Sequence, residues 1–178
     1  MSKPLGGRRA AVISGQIGEK ASILDEEVFE QSGIPGDPDD YDYLKKEEFT
    51  QYLKEKGLSI PPGGPITIEG EEGEEIASSK KIADEILIDE ENGIIYICEN
   101  KRQEDSGSVL EKLETGEYKY NYWSRIAESI GMELGGYYFT LMGSYFERTE
   151  VRERLADIVD YYAESDDNIK IIFVVSQN

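Results

Sequence analysis

Residues Ile82–Gln103 read IADEILIDEENGIIYICENKRQ. Two apolar runs stand on either side of Asn92-Gly93. Asparagine and glycine tolerate the positive φ angles of a tight turn, so the stretch predicts an antiparallel hairpin. The second run passes straight into Glu99-Asn100-Lys101, an acid and a base two residues apart. Side chains alternate along a strand, so Glu99 and Lys101 share a face with Ile95 and Ile97. If Asn92-Gly93 is the whole turn, Glu91 pairs with Ile94, Ile86 faces Glu99, and Asp84 faces Lys101. Cross-strand partners share a face. Asp84, Glu99 and Lys101 are therefore expected to converge at the end of the hairpin away from the turn. A four-residue loop is expected to keep this register, whereas a three-residue loop with a bulge would break it.

The rest of the chain supplies layers for that hairpin. Residues 1–15 read as an arm or a first strand. Ile17, Ala21, Leu24 and Val28 are at helical spacing and predict a helix over 17–31, stopped by Gly33-Ile34-Pro35-Gly36. A second helix is expected over about 42–56, closed by Gly57. Ile66–Glu69 reads as a short strand, followed by an acidic, glycine-spaced segment expected to be an exposed loop. Ser108 and Glu111 form an S-x-x-E capping pattern opening a helix to about Ile130, with a break near Gly116. A strand at GGYYFTLMGSYF, a helix at ERTEVRERLADIVDYYAES and a last buried strand at NIKIIFVVSQ complete the order. Strands separated by helices predict an α/β fold, a mixed central β-sheet flanked by α-helices. A single domain over 1–178 is expected, with an N-terminal helical or arm region 1–65 and a catalytic core over about 66–178.

Composition narrows the chemistry. The 178 residues carry 38 acids against 19 bases, a formal charge of −19. So acidic a surface disfavours non-specific adhesion to nucleic acid or anionic membrane, and any phosphate site must be local. The single cysteine, Cys98, forbids an intrachain disulfide and points to a reducing, cytoplasmic setting. No apolar run approaches the roughly 20 residues of a membrane span, so no membrane partner is expected. There is no histidine, which removes Ser-His-Asp and Cys-His catalysis and imidazole-bound zinc. Carboxylates, lysine and water remain. Two carboxylates and a lysine on one face can hold Mg²⁺, with Mn²⁺ as a possible substitute, and assist attack by water on a phosphodiester. The plain alternative is a cross-strand salt bridge.

Ala83-Asp84 followed by Glu99-Asn100-Lys101 resembles the motif of the PD-(D/E)XK nucleases, and the continuation KRQEDSGSVLEKLE is similar to type II restriction endonucleases. The resemblance covers roughly residues 76–176 and departs at Ala83, where the family usually has proline. It implies a restriction-endonuclease-like αβββαβ core. It implies Asp84, Glu99 and Lys101 as catalytic residues, with Asp84, Glu99 and the Asn100 carbonyl as metal ligands. Family members often add a glutamate from the first helix, where Glu19, Glu26, Glu27 and Glu30 are available. Lys80, Lys81, Arg102, Gln103 and Ser106 surround the motif and are the expected DNA contacts, although Ser106 and Gln103 also suit turn positions and Ser108 a helix cap. A chain of this size needs two copies to cut two strands, so a homodimer on double-stranded DNA is expected.

Other signals are weaker. GIIYI resembles the opening of a GIY-YIG nuclease, but no second strand motif follows. Asp37, Asp39 and Glu48 match calcium-loop positions, yet Pro38 and Asp42 stand where the loop does not accept them. Arg148, Arg152 and Arg154 alternate with glutamates, the pattern of a solvated salt-bridged face. Tyr118, Tyr120, Tyr122 and Trp123 suit a core, an interface or base stacking. A repair or recombination nuclease of the same fold is the nearest alternative function. A non-enzymatic acidic mimic of DNA is the more distant one, supported by the acidic run Glu69–Glu75.

Overall fold

The computed structural model describes residues 10–15, 22–58, 66–69, 75–79, 83–104, 109–164 and 168–176. The central hairpin forms from β5 (Glu85–Asp89) and β6 (Ile94–Arg102). Its turn is longer than Asn92-Gly93. Asp89 accepts the Asn92 backbone N–H at 3.1 Å and the Asn92 amide at 2.7 Å, and Gly93 has φ 67°. This side-chain-capped turn extends the loop to Glu90–Gly93, so Asp89 pairs with Ile94 and Glu85 with Cys98. The expected pairing of Glu91 with Ile94 is thus displaced by two residues, and the expectation that a four-residue loop keeps the register fails. A shift of two preserves the alternation. Ile86, Ile88, Ile95 and Ile97 share one core cluster, while Leu87, Tyr96 and Cys98 share another. A shift of one would send each set into the opposite core cluster, whose packing it does not match, so the face assignment is strongly held.

The main sheet has six strands in the order β1-β8-β7-β6-β5-β2. Here β1 is Ala10–Gly15, β2 is Asp42–Lys45, β7 is Glu133–Met142 and β8 is Ile169–Ser176. The β2, β5 and β6 strands run antiparallel; β6, β7, β8 and β1 run parallel. A separate antiparallel pair is made by β3 (Ile66–Glu69) and β4 (Glu75–Ser79). Residues 75–79 are thus a strand where the sequence suggests a loop, and 70–74 lie outside the described residues. The expected helix over 42–56 begins later. Asp42–Lys45 joins the sheet edge as β2, and α2 runs Lys46–Glu55, with Phe49 and Leu53 buried. Of the two readings of residues 1–15, arm or first strand, the strand is the one formed at Ala10–Gly15, and β2, from a stretch read as helix, joins the same sheet.

Helices cover both faces. The first, α1 (Glu26–Ser32), buries Val28 and Phe29 with Tyr96, Cys98 and Tyr138. It is shorter than the expected 17–31: Ser22–Asp25 form a turn before it, and residues 16–21 lie outside the described residues. On the other face α2, α3 (Val109–Glu114), α4 (Gly116–Ser129) and α5 (Thr149–Glu164) pack against Ile97, Tyr137, Phe139 and Phe173. At the break between α3 and α4 the backbone is met by a side chain of α5. The Gly116 N–H donates to the Tyr162 hydroxyl at 2.9 Å, and a Cβ at Gly116 would collide with the Tyr162 ring and crowd Phe139. Mixed strands with helices on both faces make this an α/β fold. Among the described residues, no helix is long and apolar enough to cross a membrane.

Candidate active site at the polar end of the hairpin

The site lies where β6 runs out of apolar residues. Asp84 is one residue before β5 and is exposed; its Oδ2 accepts the Asn100 backbone N–H at 2.8 Å. Carried one step past Glu85–Cys98, the pairing sets Asp84 beside Glu99, not opposite Lys101 as the two-residue turn predicts. Lys101, half-buried, lies two residues beyond Glu99 on β6, with Nζ 3.6 Å from Glu99 Oε2. The turn's extra residues therefore change who faces whom and leave the three groups together.

Glu99 is the centre of this cluster. It is only 6 % exposed, and an unpaired carboxylate there would cost several kcal/mol. Three groups offset that cost. Lys119 Nζ lies 3.2 Å from Oε2, Lys101 shares the same oxygen, and the Tyr137 hydroxyl donates to Oε1. Burial pushes the Glu99 carboxyl upward, but the charge of Lys119, the Tyr137 hydrogen bond and Lys101 together hold it below its ordinary value. The Tyr137 hydroxyl moves the opposite way, raised by burial and by the Glu99 charge beside it.

Tyr137 was not singled out from sequence, and Lys119 was read only as one of several bases that could meet phosphate, beside Lys112 and Arg125. Tyr137 carried no signal, being one aromatic in a strand of apolar residues. Lys119 did carry one. It stands in the buried stripe of α4, between Gly116 and Trp123 at spacings of three and four, where every other buried member is apolar, aromatic or glycine. A lysine on such a stripe requires a buried partner.

A second carboxylate occupies the other face of the sheet. Glu85 is also 6 % exposed. Its Oε2 accepts the Ser22 hydroxyl at 2.8 Å and the Ile23 N–H at 3.0 Å, and its Oε1 accepts the Asn100 side-chain amide. The Tyr43 hydroxyl is pushed up to about 12 by burial and by the charge of Glu85. The Asn100 side-chain oxygen Oδ1 in turn accepts from the Thr140 hydroxyl and, at 3.4 Å, from the Cys98 thiol. Asn100 thus bonds Asp84 through its backbone and Glu85 through its side chain. Cys98 is a buried thiol raised by burial and by the carboxylates Glu85, Asp84 and Glu99.

The remaining candidates divide. Arg102 is exposed and paired with Glu104 at 3.2 Å. Gln103 links strand ends, its N–H donating to the Met142 carbonyl at 3.0 Å and its carbonyl accepting the Tyr145 N–H at 3.2 Å. Lys80, Lys81, Ser106, Ser108 and Glu19 lie outside the described residues. Glu26, Glu27 and Glu30 are exposed on α1, which packs on the face away from the Glu99 side chain, so the described part of α1 brings no glutamate to the site. Among the described residues no three His, Cys, Asp or Glu side chains gather as a metal group. A cation here would rest on Asp84, Glu99, the Asn100 carbonyl and water. That all-oxygen set fits a hard ion such as Mg²⁺ by donor type. Comparison of the chain with models of protein families, with curated proteins and with solved structures finds no match.

Proposed function

We propose that this chain is a Mg²⁺-dependent endonuclease that hydrolyses phosphodiester bonds of double-stranded DNA, in the manner of a type II restriction enzyme and as a homodimer. The observation that supports this most is the grouping of an exposed Asp84, a buried and ionised Glu99 and a half-buried Lys101 at one strand end. Asp84, Glu99 and the Asn100 carbonyl would hold Mg²⁺, or Mn²⁺ in its place. Such an ion, when bound, lowers the pKa of water and offsets charge on phosphate oxygens.

The protein's own contribution is positioning and charge. Lys101 reaches solvent with an ammonium restrained by Glu99, so its protons are available to orient the attacking water and to stabilise charge on the phosphoryl oxygens. Tyr137 and Lys119 keep Glu99 ionised and fixed. Asn100, anchored from the far face by Glu85 and Thr140, fixes the backbone that receives Asp84. Arg102 and Gln103 follow the motif directly and, with Lys80, Lys81 and Ser106, are the proposed DNA contacts. Two copies would supply one site for each strand.

The test is incubation with plasmid and phage DNA in Mg²⁺, beside Lys101→Ala. Discrete fragments from the wild type alone support restriction-type cleavage, while cutting confined to branched or nicked DNA moves the proposal to a repair or recombination nuclease. Inertness in Mg²⁺ and Mn²⁺ at low salt overturns both. A second reading then gains, that of an acidic protein occupying the basic groove of a nucleic-acid-binding partner. What favours it is the charge of −19, together with a site whose two acids are balanced by two lysines.

A further inference from the structure

Lys119 is more deeply buried than Lys101 and closer to Glu99. It comes from a different element, α4, and its ammonium also lies 5.4 Å from the centre of the Phe139 ring. An apolar side chain of similar length would fill the same place on the α4 stripe without desolvating a charge. Replacing both members of a buried ion pair by apolar groups is often neutral, but removing one member alone leaves the other charge uncompensated. The Lys119 charge therefore acts on Glu99 in two ways: it offsets part of the cost of burying that carboxylate, and it stands at the oxygen a cation would need.

That effect is specific in place. Glu99 Oε1 is taken by the Tyr137 hydroxyl, and Oε2 faces two ammonium groups, Lys119 at 3.2 Å and Lys101 at 3.6 Å. A divalent cation on Oε2 would share one oxygen with a buried ammonium. Two positive centres a few Å apart, away from bulk water, repel strongly. Lys101 is less of an obstacle, because its side chain is 26 % exposed against 10 % for Lys119 and can turn into solvent.

We propose that Lys119 is an internal counter-ion that competes with a divalent cation for Glu99 Oε2, and thereby sets the metal affinity of the site. This rests on the metal-dependent reading of Asp84 and Glu99. In that reading Lys119 is a positioning residue: it holds Glu99 in place when no cation is bound, and withdraws from Oε2 when one is. Without a cation the carboxylates Asp84 and Glu99 are balanced by Lys101 and Lys119, and a divalent ion makes the cluster net positive, which is why its binding requires Lys119 to yield.

The experiment is Mn²⁺ binding without DNA, followed by the electron paramagnetic resonance of the free ion and by calorimetry. Lys119→Met removes the charge and keeps the length; Lys119→Arg keeps the charge. Lys119→Met is expected to bind Mn²⁺ at least about tenfold more tightly than wild type, and Lys119→Arg within about threefold of it. Adding Glu99→Gln to Lys119→Met should abolish the gain. Thermal melting verifies folding, and Lys119→Gln, which retains a donor to Glu99, replaces the methionine variant if that one fails to fold. A folded, uncharged variant with unchanged or weaker Mn²⁺ affinity overturns the proposal and leaves the metal reading standing. Absence of Mn²⁺ binding in wild type and in every variant overturns both. A purely structural lysine would shift the melting temperature without tightening metal binding.

Discussion

Glu99 and Glu85 are equally buried and lie on opposite faces of the same sheet, yet they are satisfied by different means. Glu99 is met by two ammonium groups and one hydroxyl. Glu85 is met by neutral donors: a backbone N–H, an amide and a hydroxyl. Neutral donors fixed to strands and turns hold a carboxylate in one geometry. Ammonium groups on long side chains can leave, and another cation can take their place. The difference separates a carboxylate held by fixed neutral donors from one held by mobile cations, and the Glu99 face is the one on which the proposed chemistry depends.

The largest expected effect tests that assignment directly. Lys101→Ala should reduce DNA cleavage by about 10²–10⁴-fold, the usual contribution of a positioned proton donor or acceptor. Glu85→Gln, measured in the same assay, should stay within about tenfold of wild type, since it removes charge from the anchoring face and no proposed catalytic group. Equal losses in both variants would erase the distinction. Next comes Asn100→Leu. It strips a donor from Glu85 and an acceptor from Thr140, two buried groups left unpaired, and should lower stability by about 2–4 kcal/mol in urea unfolding. A cost near zero would mean that the far-face network is not an anchor.

Acid provides a subtler discrimination. The Glu99 carboxyl titrates below its ordinary value of 4.5 in the folded protein. Its contribution to stability is therefore complete above that value and is lost as the pH falls through the lower, folded one. Glu99→Gln should flatten the acid limb of a stability–pH profile. A limb unchanged by the substitution would place the acid sensitivity elsewhere. The smallest effect belongs to an exposed pair used as a yardstick. Arg154 and Glu114 are 2.9 Å apart, but about half of each side chain is exposed. Arg154→Ala should cost under about 0.5 kcal/mol. A larger loss would show that charge pairing alone, without burial, matters in this protein.

The face shared by Glu99 and Lys101 was legible from alternation alone, because burial of Ile86, Ile88, Ile95 and Ile97 enforces it. Which residue faced which was not. Asp89 captures Asn92 and lengthens the turn, and a turn's length depends on such side-chain bonds as much as on its Asn-Gly pair. The four residues of β2 were read as the start of the helix over about 42–56. Pairing with β5 makes them a strand instead. Lys119 was legible in principle, as the charged member of a buried stripe. Its partner was not, since nothing local to α4 shows that the stripe ends over Glu99.

The edge strand β1 has a consequence for how the molecule is made. Its partner is β8, with Ala10 beside Ile171, so the two halves of this ladder lie near opposite ends of the described chain. Closing so long a loop is slow compared with forming the β5–β6 hairpin, whose strands are joined by four residues. Assembly is thus expected to begin at the hairpin that carries the charged cluster and to finish at the β1 edge. A kinetic experiment following the two regions separately should find the hairpin protected from hydrogen exchange first.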